Sequence, residues 1–289
     1  MIWSRASQAS TSPVPARPVL DLSGPRLRRA FEHLVEAAEA TGGIERYVGA
    51  LALKASLFEE MLRRHDPADL SETEFCDLVA FVAPVRRRIG TWLATNDFTF
   101  MRGRIVALLK GFDDVATADA RLEAFVAAFP ADREHRWAKD LGAEILHFAA
   151  PNKYPLMARW IWDRKVGSGV LREIWHADDV DAVQIAVDDG LAMHLMLREE
   201  LEGFLTDNGV FRDMVFYIDL LCAHIYAGYI NDRGGQYLRA DFCGDRVDGM
   251  LHTRRMLGLD AVDTESGRTR LKLIDGQAWV LSGMGRLTN

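Results

Sequence analysis

Apolar side chains return every three or four positions along most of this chain, and this spacing restricts its fold more than any other feature. A period near 3.6 residues places such side chains on one face of an α-helix. Leu27, Phe31 and Leu34 begin the first apolar face, and similar faces recur as far as residue 257. The sequence therefore predicts a mainly α, multi-helix bundle-like domain. The predicted helices cover about 24–41, 44–62, 71–92, 98–112, 117–129, 132–149, 191–206, 211–231 and 247–257, with a short aromatic helix around residues 160–162.

Two segments depart from the helical pattern. Near the C-terminal end, Asp275-Gly276 separates two short runs of β-forming residues, 270–273 and 277–281. Asp-Gly favours a tight hairpin turn, so we expect a small β-hairpin near 269–281. Residues 183–187 alternate between apolar and polar or small side chains and predict a short strand.

The beginning of the chain has a different composition from the rest. Residues 1–23 are rich in Ser, Thr and Pro and contain few large apolar side chains. Such a segment buries too little surface to offset the entropy of ordering, so it is predicted to be a flexible arm. Residues 24–289 are predicted to form a single mainly helical domain.

Charge and cysteine content narrow the classes of function. Thirty-five Lys and Arg against 42 Asp and Glu give a net charge of −7, which argues against broad binding to nucleic acid. The cysteines Cys76, Cys222 and Cys243 are scattered and form no C-x-x-C pair. We therefore expect neither a disulfide framework nor a thiolate zinc site, and a reducing compartment is favoured.

Hydropathy points to the same compartment. Residues 1–18 contain no apolar signal-peptide core, and the most apolar stretch, 214–230, contains Asp219 and His224. Neither segment resembles a membrane anchor, so we expect a cytoplasmic protein without membrane contact. The excess of arginine over lysine and the abundance of alanine are typical of GC-rich bacterial genomes.

Three potential metal ligands share one face of the helix predicted at 132–149. Asp140, Glu144 and His147 occupy positions i, i+4 and i+7, so their side chains project in nearly one direction. Glu144 and His147 also have the E-x-x-H spacing used by carboxylate-bridged di-iron proteins. Iron or another divalent metal is one interpretation of this pattern. The other is that Arg136 pairs with Asp140 and that His147 lies at the edge of the core.

Asp219 and His224 interrupt the apolar helix predicted at 211–231. A buried carboxylate needs a cationic partner, hydrogen bonds or a proton. Asp219 either binds an arginine and fixes the register of two helices, or lines a polar pocket with His224. The tyrosines that can join such a pocket are Tyr217, Tyr226 and Tyr229.

Aromatic and cationic residues alternate in the segment that we call the Trp–Arg cluster: Arg159, Trp160, Trp162, Arg164 and Lys165. Tryptophan faces beside guanidinium groups suit a flat ligand, an anion or a protein partner. In the alternative interpretation, the tryptophans pack in the core and the charged groups are solvated.

A second group of cations, which we call the arginine group, consists of Arg86, Arg87, Arg88, Arg102 and Arg104. If the helices on either side of Asn96 pack as a hairpin, these side chains share one surface that suits phosphate or an acidic protein. Against this, consecutive arginines on one helix point in different directions and are usually solvated.

The sequence contains no G-x-S-x-G motif and no cysteine next to an obvious base. We therefore expect a helical binding protein, a regulatory or accessory factor that acts on a protein partner. The alternative is an enzyme or metal-dependent sensor with a carboxylate/histidine site inside the bundle. Convergence of Glu144 and His147 with helix 211–231 around a cavity favours this alternative.

Overall fold

Helices account for nearly all regular structure in the computed structural model, which describes residues 19–233, 248–261, 272–274 and 277–279. The mainly α prediction is therefore confirmed. The α-helices of the described residues are α1 (Gly24–Glu39), α2 (Glu45–Glu59), α3 (Glu72–Val79), α4 (Ala83–Arg86), α5 (Ile89–Leu93), α6 (Phe98–Leu109), α7 (Ala118–Ala127), α8 (Trp137–Ala149), α9 (Val170–Glu173), α10 (Leu191–Asp207), α11 (Met214–Arg233) and α12 (Leu251–Met256). A π-helical turn over Glu60–Arg64 extends α2, and 3-10 turns cover Pro67–Asp69, Val115–Thr117, Val180–Ala182 and Leu259–Ala261.

The single kinked helix predicted at 71–92 is instead three short helices, α3, α4 and α5. Ser71 and Glu74 form the capping box that starts α3, as their spacing suggests. The helix cannot continue through Pro84, which has no N–H to donate to the carbonyl of Ala80. That carbonyl accepts a hydrogen bond from the Arg86 guanidinium instead, at 3.2 Å.

Three further local predictions were wrong. The helix predicted at 132–149 begins only at Trp137, because the Asp132 side chain accepts hydrogen bonds from the backbone amides of Glu134 and His135 and closes a separate turn. Residues 160–162 form a turn rather than an aromatic helix, since the carbonyls of Trp160 and Ile161 accept bonds from α9. Residues 183–187 form neither a strand nor a helix.

Helix α8 lies at the centre of the fold. It packs against α2, α4, α6 and α7, and every side chain from Leu141 to Ala149 is buried. Around it, one hydrophobic core includes residues from Leu20 to Leu259. A polar group on α8 can therefore reach a partner only on a neighbouring element.

The two ends of the described chain differ in part from expectation. Residues 19–23, assigned to the arm by sequence, lie against the helices: Leu20 is buried and Leu22 forms a β-bridge with Trp175. Residues 1–18 are outside the described residues. Lys272–Ile274 and Gln277–Trp279 pair antiparallel, but the rest of 269–281 is not described, so the hairpin stays a prediction. No described helix is both long and apolar enough to cross a membrane.

Candidate functional site

The side chains of Asp140, Glu144 and His147 on α8 are all buried, and each contacts a partner in a different part of the chain. Asp140 accepts a hydrogen bond of 2.6 Å from Nη2 of Arg159. Glu144 accepts one of 2.5 Å from Nζ of Lys54 on α2. Nε2 of His147 lies 2.8 Å from Oδ2 of Asp219 on α11. The three side chains project from one face of α8, as predicted, but each of them binds a different partner.

The Lys54–Glu144 pair is completely enclosed. Nζ of Lys54 also donates to the carbonyls of Phe81 and Leu257, at 3.1 and 2.9 Å. Three acceptors require three N–H groups, so this geometry fits the ammonium form. Burial lowers the pKa of Lys54 and raises the pKa of Glu144, while their mutual attraction opposes both shifts. The pair is stable only as a unit, because either charge alone would be buried without compensation.

One glycine allows the three hydrogen-bond acceptors to surround Lys54. Gly258 has a positive φ of 71°, and a Cβ at this position would lie 1.7 Å from the carbonyl oxygen of Phe81. Glycine alone permits both the backbone conformation and the close approach. The chain after α12 can therefore bring the Leu257 carbonyl beside that of Phe81, and both then face Lys54.

His147 and Asp219 share a proton. Nδ1 of His147 lies 2.7 Å from the carbonyl of Tyr154, which can only accept, so Nδ1 must carry a proton. The contact between Nε2 and Asp219 needs one more proton, either on the imidazole or on the carboxyl. The pair is thus imidazolium–carboxylate or imidazole–carboxylic acid, and in both forms one proton lies between Nε2 and Oδ2.

A small cavity of about 20 Å³ lies beside this pair, with room for roughly one water molecule. His147 and Asp219 line it together with His194 and Arg198 of α10. Nδ1 of His194 lies 2.9 Å from the Gly190 carbonyl, so Nδ1 carries the proton of the neutral ring. Nε2 is then an acceptor, and it is buried with no hydrogen-bond partner among the described residues. Burial lowers the pKa of His194 to about 4, so its ring is neutral near pH 7.

A wider cleft of about 530 Å³ adjoins the cavity, and Arg198 and Val215 line both spaces. The guanidinium of Arg198 donates to the carbonyls of Pro151 and Asn152, at 2.9 and 2.6 Å, and contacts Glu202 at 3.2 Å. These bonds hold Arg198 between the cavity and the cleft. Volumes of 300–1,000 Å³ are usual for small-molecule sites.

Cys222 also lines the cavity, where burial raises the pKa of its thiol. A protonated thiol is a poor nucleophile. The remaining lining is mostly aliphatic, from Pro155, Leu156, Ile161, Leu197 and Ile218. The polar residues of the cavity lining are therefore His194, Arg198 and the His147–Asp219 pair, in a mostly aliphatic surrounding.

The metal interpretation of Asp140, Glu144 and His147 is not supported. Each residue is hydrogen-bonded to a different partner, and the described residues contain no group of three or more His, Cys, Asp or Glu placed to hold a metal ion. A second E-x-x-H sequence, Glu173 to His176, does not join them, because His176 is exposed and lies 3.4 Å from Asp21.

The Trp–Arg cluster is divided between core and surface. Trp160 and Trp162 are buried, with exposures of 8% and 1%, so their faces are not available to a partner. Trp162 donates to the Val187 carbonyl. Arg159 binds Asp140, which explains why Arg136 does not. Only Arg164 and Lys165 are exposed, and Arg164 pairs with Asp188.

The arginine group does not form one surface. Arg86 is buried and binds the Asp260 carboxylate through two hydrogen bonds of 2.8 Å. Arg102 donates to the Leu70 carbonyl at 3.4 Å, and Arg104 lies over the Phe100 ring. Arg87 and Arg88 are exposed and line a separate cleft.

Asp219 and His224 do not share a pocket. His224 has its Nε2 2.8 Å from Nδ1 of His33 and its Nδ1 3.0 Å from the Thr253 hydroxyl. Asp219 binds His147 rather than an arginine. Of the three tyrosines, Tyr217 donates to Glu45, and Tyr226 packs against Tyr229.

Sequence reasoning missed Lys54, His194 and Arg198. Lys54 sits among apolar residues of α2, and a lone cation in such a run is the one signal that could have revealed a buried ion pair. His194 and Arg198 lie one turn apart on α10 and carry no motif. Comparison with known proteins found no matching family model, no significantly similar curated protein and no significantly similar solved structure.

Proposed function

We propose that this protein is a cytoplasmic helical regulatory or accessory factor that binds a small ligand between α8, α10 and α11. The proposal depends on two observations: His194 lines the cavity, and its buried Nε2 has no hydrogen-bond partner among the described residues. An acceptor left unsatisfied costs about 1–3 kcal/mol, which a ligand with an N–H or O–H donor recovers.

The ligand is a small neutral molecule with such a donor on an apolar body. Neutral groups fit because the Asp219 carboxyl group is already hydrogen-bonded to His147 and because most of the surrounding side chains are aliphatic. The cavity alone accepts little more than a water molecule, so the body of the ligand lies in the adjoining cleft, past Arg198.

Butanol and butanamide are suitable probes, and butyronitrile is the matched molecule without an N–H or O–H. We expect the two donors to bind and to shift the ¹⁵N resonance of Nε2 of His194, and butyronitrile to bind about tenfold more weakly. His194→Asn should remove this preference, whereas the exposed His176→Asn should not. Equal binding of donors and butyronitrile, or an unchanged preference in His194→Asn, would refute the proposal.

An enzymatic role is the second candidate, favoured by the convergence of His147 of α8 with Asp219 of α11 at the cavity. In this role the pair exchanges its shared proton with the bound molecule. The ¹⁵N resonances of His147 report where the proton lies. If bound butanol or butanamide leaves those resonances unchanged, the enzymatic candidate fails and the binding proposal stands.

Regulation would require a protein partner, and the turn at 163–168 offers the best surface for one. Arg164 and Lys165 are exposed there, and Val166 is 64% exposed beside them. We expect an acidic partner surface with an apolar centre, and no nucleic acid. The test is to capture binding proteins from the host with each form of the protein. Arg164→Glu/Lys165→Glu should fail to capture a specific partner that the wild-type protein captures. The control, Arg28→Glu/Arg29→Glu on α1, should still capture that partner.

A further inference from the structure

A second cleft, of about 820 Å³, lies on another part of the molecule, between the α4–α5 break and the segment before α8. Arg87 and Arg88 line one side, and Glu134 and His135 contribute to the other. None of these residues lines the cavity at His194 or the cleft beside it. It is therefore a separate space from the site proposed above.

The break between α4 and α5 explains why two consecutive arginines face the same cleft. On a continuous helix, adjacent side chains would point about 100° apart. Arg87 ends α4 with ψ near −5°, and Arg88 leaves helical geometry with φ of −136°. The chain turns at this point, so Arg86 goes inward to Asp260 while the next two residues line the cleft.

Neither Arg87 nor Arg88 forms an ion pair with a described side chain, although most of the buried and half-buried arginines nearby have partners. Two adjacent guanidinium groups repel each other, and Glu134 is the one carboxylate in the described lining. The local charge is positive in a chain whose net charge is −7. An anion between the guanidinium groups would relieve this repulsion, and a phosphate matches their fork of N–H donors.

The rest of the lining adds apolar surface and hydroxyl groups. Trp92 and Trp137, whose ring centroids are 6.1 Å apart, line the cleft together with Pro84 and Pro130. Thr91 and Thr95 also line the cleft, where the Thr95 hydroxyl donates to the Trp92 carbonyl at 3.2 Å. We infer that this cleft binds a small organic phosphate, with the phosphate at Arg87 and Arg88 and the organic part of the ligand in the rest of the cleft.

Intrinsic tryptophan fluorescence tests the inference, because Trp92 and Trp137 would report occupancy. Phenyl phosphate, which has a flat body, should bind the whole protein saturably with a Kd below about 1 mM, and inorganic phosphate more weakly. Arg87→Ala/Arg88→Ala should raise the phenyl phosphate Kd at least about tenfold.

The matched control is Arg28→Ala/Arg29→Ala, which removes two adjacent exposed arginines from α1 and changes the net charge equally. Its Kd should stay within about twofold of wild type. Thermal unfolding of both variants checks that the fold is retained. An equal loss in both variants, or no saturable binding of phenyl phosphate, would overturn the inference. Tighter binding of a single-stranded oligonucleotide of about 20 nucleotides, lost in the Arg87/Arg88 variant, would assign the cleft to nucleic acid instead.

Discussion

His194 should make the folded protein less stable in mild acid. Burial lowers the pKa of its imidazole from 6.5 to about 4. As the pH falls below 6.5, the unfolded chain takes up a proton at this ring while the folded protein does not. The stability that depends on a neutral His194 is therefore fully present above pH 6.5 and is lost as the pH falls towards 4.

The size of the effect follows from these two values. Proton linkage gives a loss of about 2 kcal/mol between about pH 7 and about pH 5, and a limit of about 3 kcal/mol below pH 4. Other groups also titrate in this range, including His224, whose pKa burial and the neighbouring His33 lower to about 4. A comparison of variants at both pH values cancels those contributions.

Urea unfolding followed by circular dichroism measures the difference. In His194→Asn the amide can still donate to the Gly190 carbonyl, but no group titrates there. Between about pH 7 and about pH 5 this variant should lose about 2 kcal/mol less stability than wild type. His176→Asn, on an exposed side chain, should follow wild type. If His194→Asn and wild type lose the same free energy, the neutral buried acceptor on which the ligand proposal depends does not exist.

Urea unfolding near neutral pH tests three further predictions, on a buried ion pair, a glycine and a helix cap. Lys54→Met should lower the free energy of unfolding by about 3–5 kcal/mol, because the Glu144 carboxylate is then buried alone. Lys54→Met/Glu144→Leu should recover most of that loss. An equally unstable double variant would contradict the pairing. Gly258→Ala should cost more than about 1 kcal/mol through strain and a backbone clash, whereas Gly203→Ala, in open space on α10, should stabilise by about 0.5–1 kcal/mol. Ser71→Ala should cost about 1 kcal/mol by removing the α3 cap, and no change would show that the cap is not needed.

The helices could be predicted from sequence because their signals are local. The apolar spacing located α1, α6 and α10 closely, and the Ser71–Glu74 capping box marked the start of α3. Breaks were harder to place. The turn at 160–162 depends on hydrogen bonds with α9, which no window of sequence around the tryptophans contains.

The candidate site could be predicted only in part, for a related reason. The face shared by Asp140, Glu144 and His147 follows from spacing within one helix. Their partners Lys54 and Asp219 lie on helices distant in sequence, and only tertiary packing brings them close. Spacing alone therefore suggested a shared metal site, where the structure has separate pairs.

The buried cations Lys54 of α2 and Arg86 of α4 each donate a hydrogen bond to an acceptor that lies more than 170 residues later in the chain. Lys54 donates to the Leu257 carbonyl, a separation of 203 residues, and Arg86 binds Asp260, a separation of 174. Until residues 257–260 leave the exit tunnel, neither cation can be buried with its full set of partners. The surroundings of these two cations on the N-terminal helices are therefore completed only by a segment made near the end of synthesis.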